Sequence, residues 1–203
     1  MKHAQNIQDL SALAIDFMGF IFYPNSKRCV ENESLSISIK RLNPVIQKVG
    51  VFVNQPVEYV LKTCQLLQLQ YTQLHGNETP NVLEQIKKAK IGTIKVFSPT
   101  QEFQWKDVEP FISGSDYFLF DTPTILYGGS GQQFDWNLLS NYPYNVPFFL
   151  SGGIGPDDIK SISKLSFPQL AGIDVNSGVE IEPALKDISK VKAILKQVRN
   201  EHI

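Results

Sequence analysis

Seven short apolar runs, most of them followed by a stretch of helical periodicity, restrict this chain to few architectures. The runs are FMGFIFY (17–23), VGVFVN (49–54), YTQLHG (71–76), GTIKVFS (92–98), SDYFLFDT (115–122), VPFFLSGG (146–153) and LAGIDVNSG (170–178). Most are continuous rather than alternating, as expected of strands covered on both faces in a parallel sheet. Between them, Val57, Val60, Leu61, Cys64 and Leu67 form one helical stripe, and Ile188, Val191, Ile194, Leu195 and Val198 form another. Pro56 suits the first turn of the former helix, and Pro156 with Asp157-Asp158 suits a helix start after run 146–153. Asn6 is the expected N-cap of an opening helix carrying Ile7, Leu10, Leu13 and Ala14. No composition shift or long linker divides the chain, so residues 1–203 are expected to form one α/β domain.

Polar or glycine features end most of the runs: Tyr23-Pro24 with Arg28 following, Asn54, His75-Gly76, Asp121, Gly152-Gly153 and Ser177-Gly178. An open doubly wound sheet concentrates its ligand loops at one switch point. Features at nearly every exit favour a barrel, whose site is built from the loops around one rim. A closed barrel of this type has eight strands. Seven runs are visible and the chain starts in a helical pattern. The expectation is a TIM (β/α)8-type barrel lacking its first β-strand.

Charge narrows the partners. The formal net charge is −1, the charged fraction is 19%, and like charges do not cluster, which argues against a nucleic-acid groove or a membrane surface. No apolar run reaches about 18 residues, the length of a membrane span. MKHAQNIQDL lacks the apolar core of a secretory signal. Cys29 and Cys64 make neither a metal-ligand spacing nor a disulfide framework. A soluble, reduced, cytoplasmic chain is expected.

The segment FLFDTPTILYGGSGQQFDW (118–136) is richest in chemistry. Asp121 ends an apolar run, Gly128-Gly129-Ser130-Gly131 follows, and Phe134-Asp135-Trp136 opens a helical pattern. A carboxylate at a strand exit under a glycine-rich loop is where a barrel keeps catalytic groups; its other reading is a turn cap. Ser151-Gly152-Gly153-Ile154-Gly155 and Asn176-Ser177-Gly178-Val179-Glu180 close the last two runs. Glycines there let backbone N–H groups converge on an anion, and barrel enzymes often hold phosphate at these two loops. Gly129, Gly131, Gly152, Gly153, Ser177 and Gly178 are the candidate phosphate contacts. A single glycine pair is more often a tight turn than a ligand site, whereas two glycine loops closing consecutive final runs favour a phosphate site.

Segment 118–136 resembles phosphoribosylanthranilate isomerase, a tryptophan-pathway family whose sixth strand ends in Asp before a Gly-Gly-Thr/Ser-Gly…Phe-Asp-Trp loop. Phe22-Tyr23-Pro24-Asn25-Ser26-Lys27-Arg28 resembles the family's Phe-Tyr-Pro-x-Ser-Pro-Arg, with Lys27 in place of Pro and Cys29 in place of an aromatic. Gln73-Leu74-His75-Gly76 and Gly172-Ile173-Asp174-Val175 resemble its Gln-Leu-His-Gly and Gly-Val-Asp-Val. The resemblance covers essentially the whole chain.

It implies an isomerase that converts N-(5′-phosphoribosyl)anthranilate to 1-(2-carboxyphenylamino)-1-deoxyribulose 5-phosphate, an Amadori rearrangement using no cofactor and no metal. Asp121 matches the general acid. Arg28 matches the group for the anthranilate carboxylate, for which its planar fork is suited; a solvated surface Arg is the bland reading. His75 and Asp174 match substrate-binding positions, with structural hydrogen bonding as their alternative. The implied partner is a small phosphorylated substrate, with no nucleic acid and no membrane. The family's base is a cysteine in a Lys-Val/Ile-Cys-Gly motif on the first strand, and that motif is absent here. The expectation is that it precedes Met1. Two other readings stay open. A barrel binding a phosphorylated ligand without catalysis would have no base. Indole-glycerol-phosphate synthase would need strand-end Lys and Glu residues, and a ribulose-phosphate epimerase would need metal-ligating His and Asp groups; neither set is found.

Overall fold

The computed structural model describes residues 1–30, 34–123 and 134–201. Seven parallel strands pair strictly in chain order: β1 (Phe17–Ile21), β2 (Gln47–Phe52), β3 (Tyr71–Leu74), β4 (Gly92–Phe97), β5 (Tyr117–Phe120), β6 (Phe148–Leu150) and β7 (Leu170–Ile173). Six of the seven expected runs contain their strand whole, and β2 begins two residues before the run 49–54. The sheet has no reversal of strand order, which rules out the doubly wound alternative.

Aromatic packing shows that the sheet is curled. Phe17 on β1 packs edge-on against Phe149 on β6 with ring centroids 5.2 Å apart, and against Tyr71 and Tyr117 at 5.5 and 6.0 Å. Strands neighbour each other at about 4.8 Å, so a flat sheet would separate β1 from β6 by roughly 24 Å. Phe17, Tyr71, Tyr117 and Phe149 therefore plug the interior of a barrel-type sheet, with Val49, Ile94, Val96 and Leu119 packed in the same inner cluster. The alternate residues, Phe118, Phe120, Phe148 and Leu150, are fully buried on the outer face beneath the helices. Burial on both faces explains why the runs read as continuous rather than alternating.

The outer layer is formed by α1 (Ala4–Ser11), α2 (Ser34–Lys40), α3 (Val57–Leu67), α4 (Pro80–Lys88), α5 (Ile159–Ile162) and α6 (Ile188–Glu201). Both predicted stripes face the core: Val60, Cys64 and Leu67 are buried on α3, and Val191 and Ile194 on α6. The β4–β5 connection carries two 3-10 turns, Trp105–Asp107 and Glu109–Phe111, where a helix was expected. Trp136–Asn141 before β6 is likewise 3-10, with Asp135 accepting from the Asn137 N–H at 3.0 Å. No helix among the described residues is long and apolar enough to cross a membrane.

Asn6 is not an N-cap. α1 starts two residues earlier, and Asn6 lies buried inside it. Its side chain spans to the short antiparallel hairpin β8 (Glu180–Glu182) and β9 (Leu185–Lys186), donating to the Lys186 carbonyl at 2.9 Å and accepting from the Lys186 N–H at 2.8 Å. This two-way staple ties α1 to the hairpin before α6. It bridges the seam between β1 and β7, the two ends of the strand order. Met1 is buried at the same seam, its backbone nitrogen 3.5 Å from the Gly19 carbonyl oxygen on β1.

Candidate active site

Strand alternation decides what reaches the rim at the C-terminal ends of the strands. Tyr71 and Gln73 alternate inward on β3, so the next residue of that parity is His75; Tyr117 and Leu119 do the same on β5 and lead to Asp121. The Asp121 N–H donates to the Phe97 carbonyl at 2.9 Å, extending the ladder by one residue and fixing its side chain. His75 Nε2 and Asp121 Oδ2 then lie 3.3 Å apart, each about a quarter to a fifth exposed. Asp121 Oδ1 also accepts from the Thr122 N–H at 2.8 Å, leaving a partly open carboxylate at the mouth of an apolar barrel.

Asp174, directly after β7, joins the same rim. Its Oδ2 accepts from the Ser151 hydroxyl at 2.9 Å. Burial, with the nearby Asp121 charge next, holds the Asp174 carboxyl above its ordinary range, against the opposing pull of Ser151, Lys186 and His75.

Arg28 is not a free surface residue. Its Nε reaches both Glu180 carboxylate oxygens at 3.0 Å, and its Nη2 reaches one at 2.6 Å. Lys186 Nζ donates to the other Glu180 oxygen at 2.9 Å and to the side-chain oxygen of Asn176. Burial pushes the Glu180 carboxyl up, but Arg28 and Lys186 outweigh it and hold it below its ordinary range. Two cations around one carboxylate leave this cluster with an excess positive charge beside the rim.

The two glycine loops are brought together. Gly152 and Gly153 have φ of +100° and +69°, a left-handed backbone that suits glycine. A side chain on Gly152 would collide with Thr122, and one on Gly178 with the Ile154 carbonyl. The loops at 151–155 and 176–179 are thus packed backbone to backbone, with Ser177–Val179 wound into a 3-10 turn. Gly129 and Gly131, the other candidate phosphate contacts, lie outside the described residues.

Cys64 is not a ready base. It is buried on α3, and burial pushes its thiol up to about 12. Cys29 is half-buried after Arg28. Three groups that shape the rim carried no mark in the sequence. Glu180 ends the segment 176–180 that was noted for its glycines, and Lys186 is an ordinary charge further on, in β9. Lys95 was visible only as a lysine inside the apolar run 92–98, which should have demanded a buried partner.

The comparisons agree with this architecture. A family model described as N-(5′phosphoribosyl)anthranilate (PRA) isomerase matches residues 1–197. An N-(5′-phosphoribosyl)anthranilate isomerase from Parabacteroides distasonis is 43% identical over 201 residues, covering 98% of this chain and 90% of its own. The crystal structure of phosphoribosyl anthranilate isomerase from Thermotoga maritima superposes with a TM-score of 0.84 at 32% identity, covering 98% and 96% of the two chains. A phosphoribosyl anthranilate isomerase solved in complex with reduced 1-(o-carboxyphenylamino)-1-deoxyribulose 5-phosphate gives 0.81 at 30% identity, covering 98% and 95%. With sequence and barrel both matched along nearly their whole length, the chain belongs to the N-(5′-phosphoribosyl)anthranilate isomerase family.

Proposed function

We propose that this chain serves tryptophan biosynthesis by isomerising N-(5′-phosphoribosyl)anthranilate to 1-(2-carboxyphenylamino)-1-deoxyribulose 5-phosphate, working in the cytoplasm. The observation that carries the assignment of roles is the His75–Asp121 contact of 3.3 Å at the open mouth of the barrel. Asp121 is the general acid that protonates the furanose ring oxygen, and ring opening then gives the Schiff base. His75 holds Asp121 in place and Asp174 binds the sugar hydroxyls. The packed loops at 151–155 and 176–179 offer backbone N–H groups to the phosphate. Arg28, fixed by Glu180, turns its remaining N–H groups to the anthranilate carboxylate.

The C2′ proton needs a base on the other side of the sugar. We assign it to a cysteine of an eighth strand seated in the seam between β1 and β7, where the family's Cys-Gly motif belongs. The test is turnover of N-(5′-phosphoribosyl)anthranilate by residues 1–203 alone, by the same residues behind a strand ending in Cys-Gly, and by the Cys→Ala form of that extension. Activity only in the second protein supports the reading. Full turnover by residues 1–203 alone would move the base to another group, Cys29 first.

A further inference from the structure

Lys95 points away from the barrel interior, on the parity of Thr93 and Phe97, and its side chain is only 4% exposed. Its ammonium donates three hydrogen bonds, to the Leu74 carbonyl at 3.2 Å, the Gly76 carbonyl at 2.6 Å and Glu78 Oε2 at 2.9 Å, and also lies over the rings of Phe97 and Phe111. Leu74 and Gly76 are the residues on either side of His75. Glu78, 3% exposed, accepts in turn from the Gly76 N–H at 3.0 Å and from the Asn54 N–H at 2.9 Å. The pair lines a cavity of about 410 Å³ together with His75 and Phe111.

A buried ion pair is a poor way to add stability, since apolar residues of similar size often do as well. Apart from the Asn54 N–H, this pair spends its backbone contacts on the residues flanking one imidazole. We infer that Lys95 and Glu78 are positioning residues: from outside the barrel wall they clamp the peptide units around His75 and so set the imidazole against Asp121. The inference rests on the reading of His75 and Asp121 as site residues. The β3–α4 loop holds His75 by its backbone, so a change that releases the carbonyls of Leu74 and Gly76 lets the ring leave the carboxylate without altering either partner.

The chain has three histidines, so imidazole resonances of the labelled protein are few, and that of His75 is assigned by its loss in His75→Asn. In the otherwise unaltered protein, Asp121→Asn is expected to displace the His75 resonance. In a Lys95→Met background, folded by circular dichroism, the same Asp121→Asn change is expected to displace it little. Equal displacement in both backgrounds overturns the inference and leaves the pair a purely structural one. No displacement in either background, with Asp121→Asn folded, removes the His75–Asp121 contact itself and the role proposed for it. Should Lys95→Met fail to fold, Glu78→Gln/Lys95→Met, which keeps an acceptor for the two N–H groups and carries no unpaired charge, is put through the same comparison.

Discussion

His75 and Asp121 meet although a whole strand separates them. β4 lies between β3 and β5, yet Nε2 and Oδ2 are 3.3 Å apart. Curling of the sheet makes this possible, because inward side chains on second-neighbour strands converge at a barrel mouth. If Asp121 is the acid, Asp121→Asn in the active enzyme should lower turnover on the order of 10²-fold or more, the usual scale for an acid–base group. Binding of the reduced product analogue should change little. Near-normal turnover in steady-state assays would return Asp121 to a turn-capping role.

Arg28 presents a fixed fork, and lysine cannot copy it. Arg28→Lys should weaken binding of the carboxylated product analogue on the order of tenfold, the affinity equivalent of one charge-assisted hydrogen bond. If inorganic phosphate is held by the backbone N–H groups of loops 151–155 and 176–179, as proposed, the same change should weaken its binding far less. Isothermal titration of both ligands checks this, and an equal loss for both would point to general disruption.

The raised Asp174 carboxyl makes a signed prediction about pH. A group whose folded-state pKa exceeds its unfolded value supports folding while protonated, below the ordinary 3.8, and that support is lost as pH rises through the folded value. Asp174→Asn keeps the shape without the charge. Its melting temperature relative to the parent should therefore rise from acid towards neutral pH and then level off. A difference independent of pH across thermal melts would show that the carboxyl is not perturbed as described.

Gly152 should tolerate no side chain. Gly152→Ala places a methyl against Thr122 on a backbone with φ of +100°, a conformation costing about 1–3 kcal/mol for a non-glycine residue before any collision is counted. Chemical denaturation should show that loss, and inorganic phosphate binding should weaken with it. A neutral effect on both would mean that loop 151–155 repacks freely.

Much of this arrangement was readable from residue order. A parallel sheet covered on both faces leaves continuous apolar runs, and the strand exits therefore showed His75 and Asp121 as rim residues, whereas Asp174, inside the run 170–178, was marked only by the family resemblance. Pairings formed across long sequence distances stayed hidden. Glu180 gave no sign of reaching Arg28, 152 residues away. Asn6 looked like a helix cap because asparagine is a common one, whereas its tertiary bond to Lys186 overrides that local preference. The absent α-helix before β5 was also unreadable, since residues 98–114 carry enough apolar groups for either a helix or the 3-10 turns that form.

The Asn6–Lys186 staple has a consequence for how the molecule assembles. Neighbouring strands join residues a few tens of positions apart, such as Phe17 with Gln47 and Tyr71 with Gly92, whereas the staple joins residues 180 apart. Loop-closure entropy makes the distant contact the costlier to form early, so it belongs after the main folding barrier. A bond formed after the barrier governs escape from the native state rather than entry into it. Asn6→Ala should therefore leave the refolding arm of a stopped-flow chevron unchanged and raise the unfolding rate on the order of tenfold, making the ring's closure a determinant of how long the folded molecule lasts.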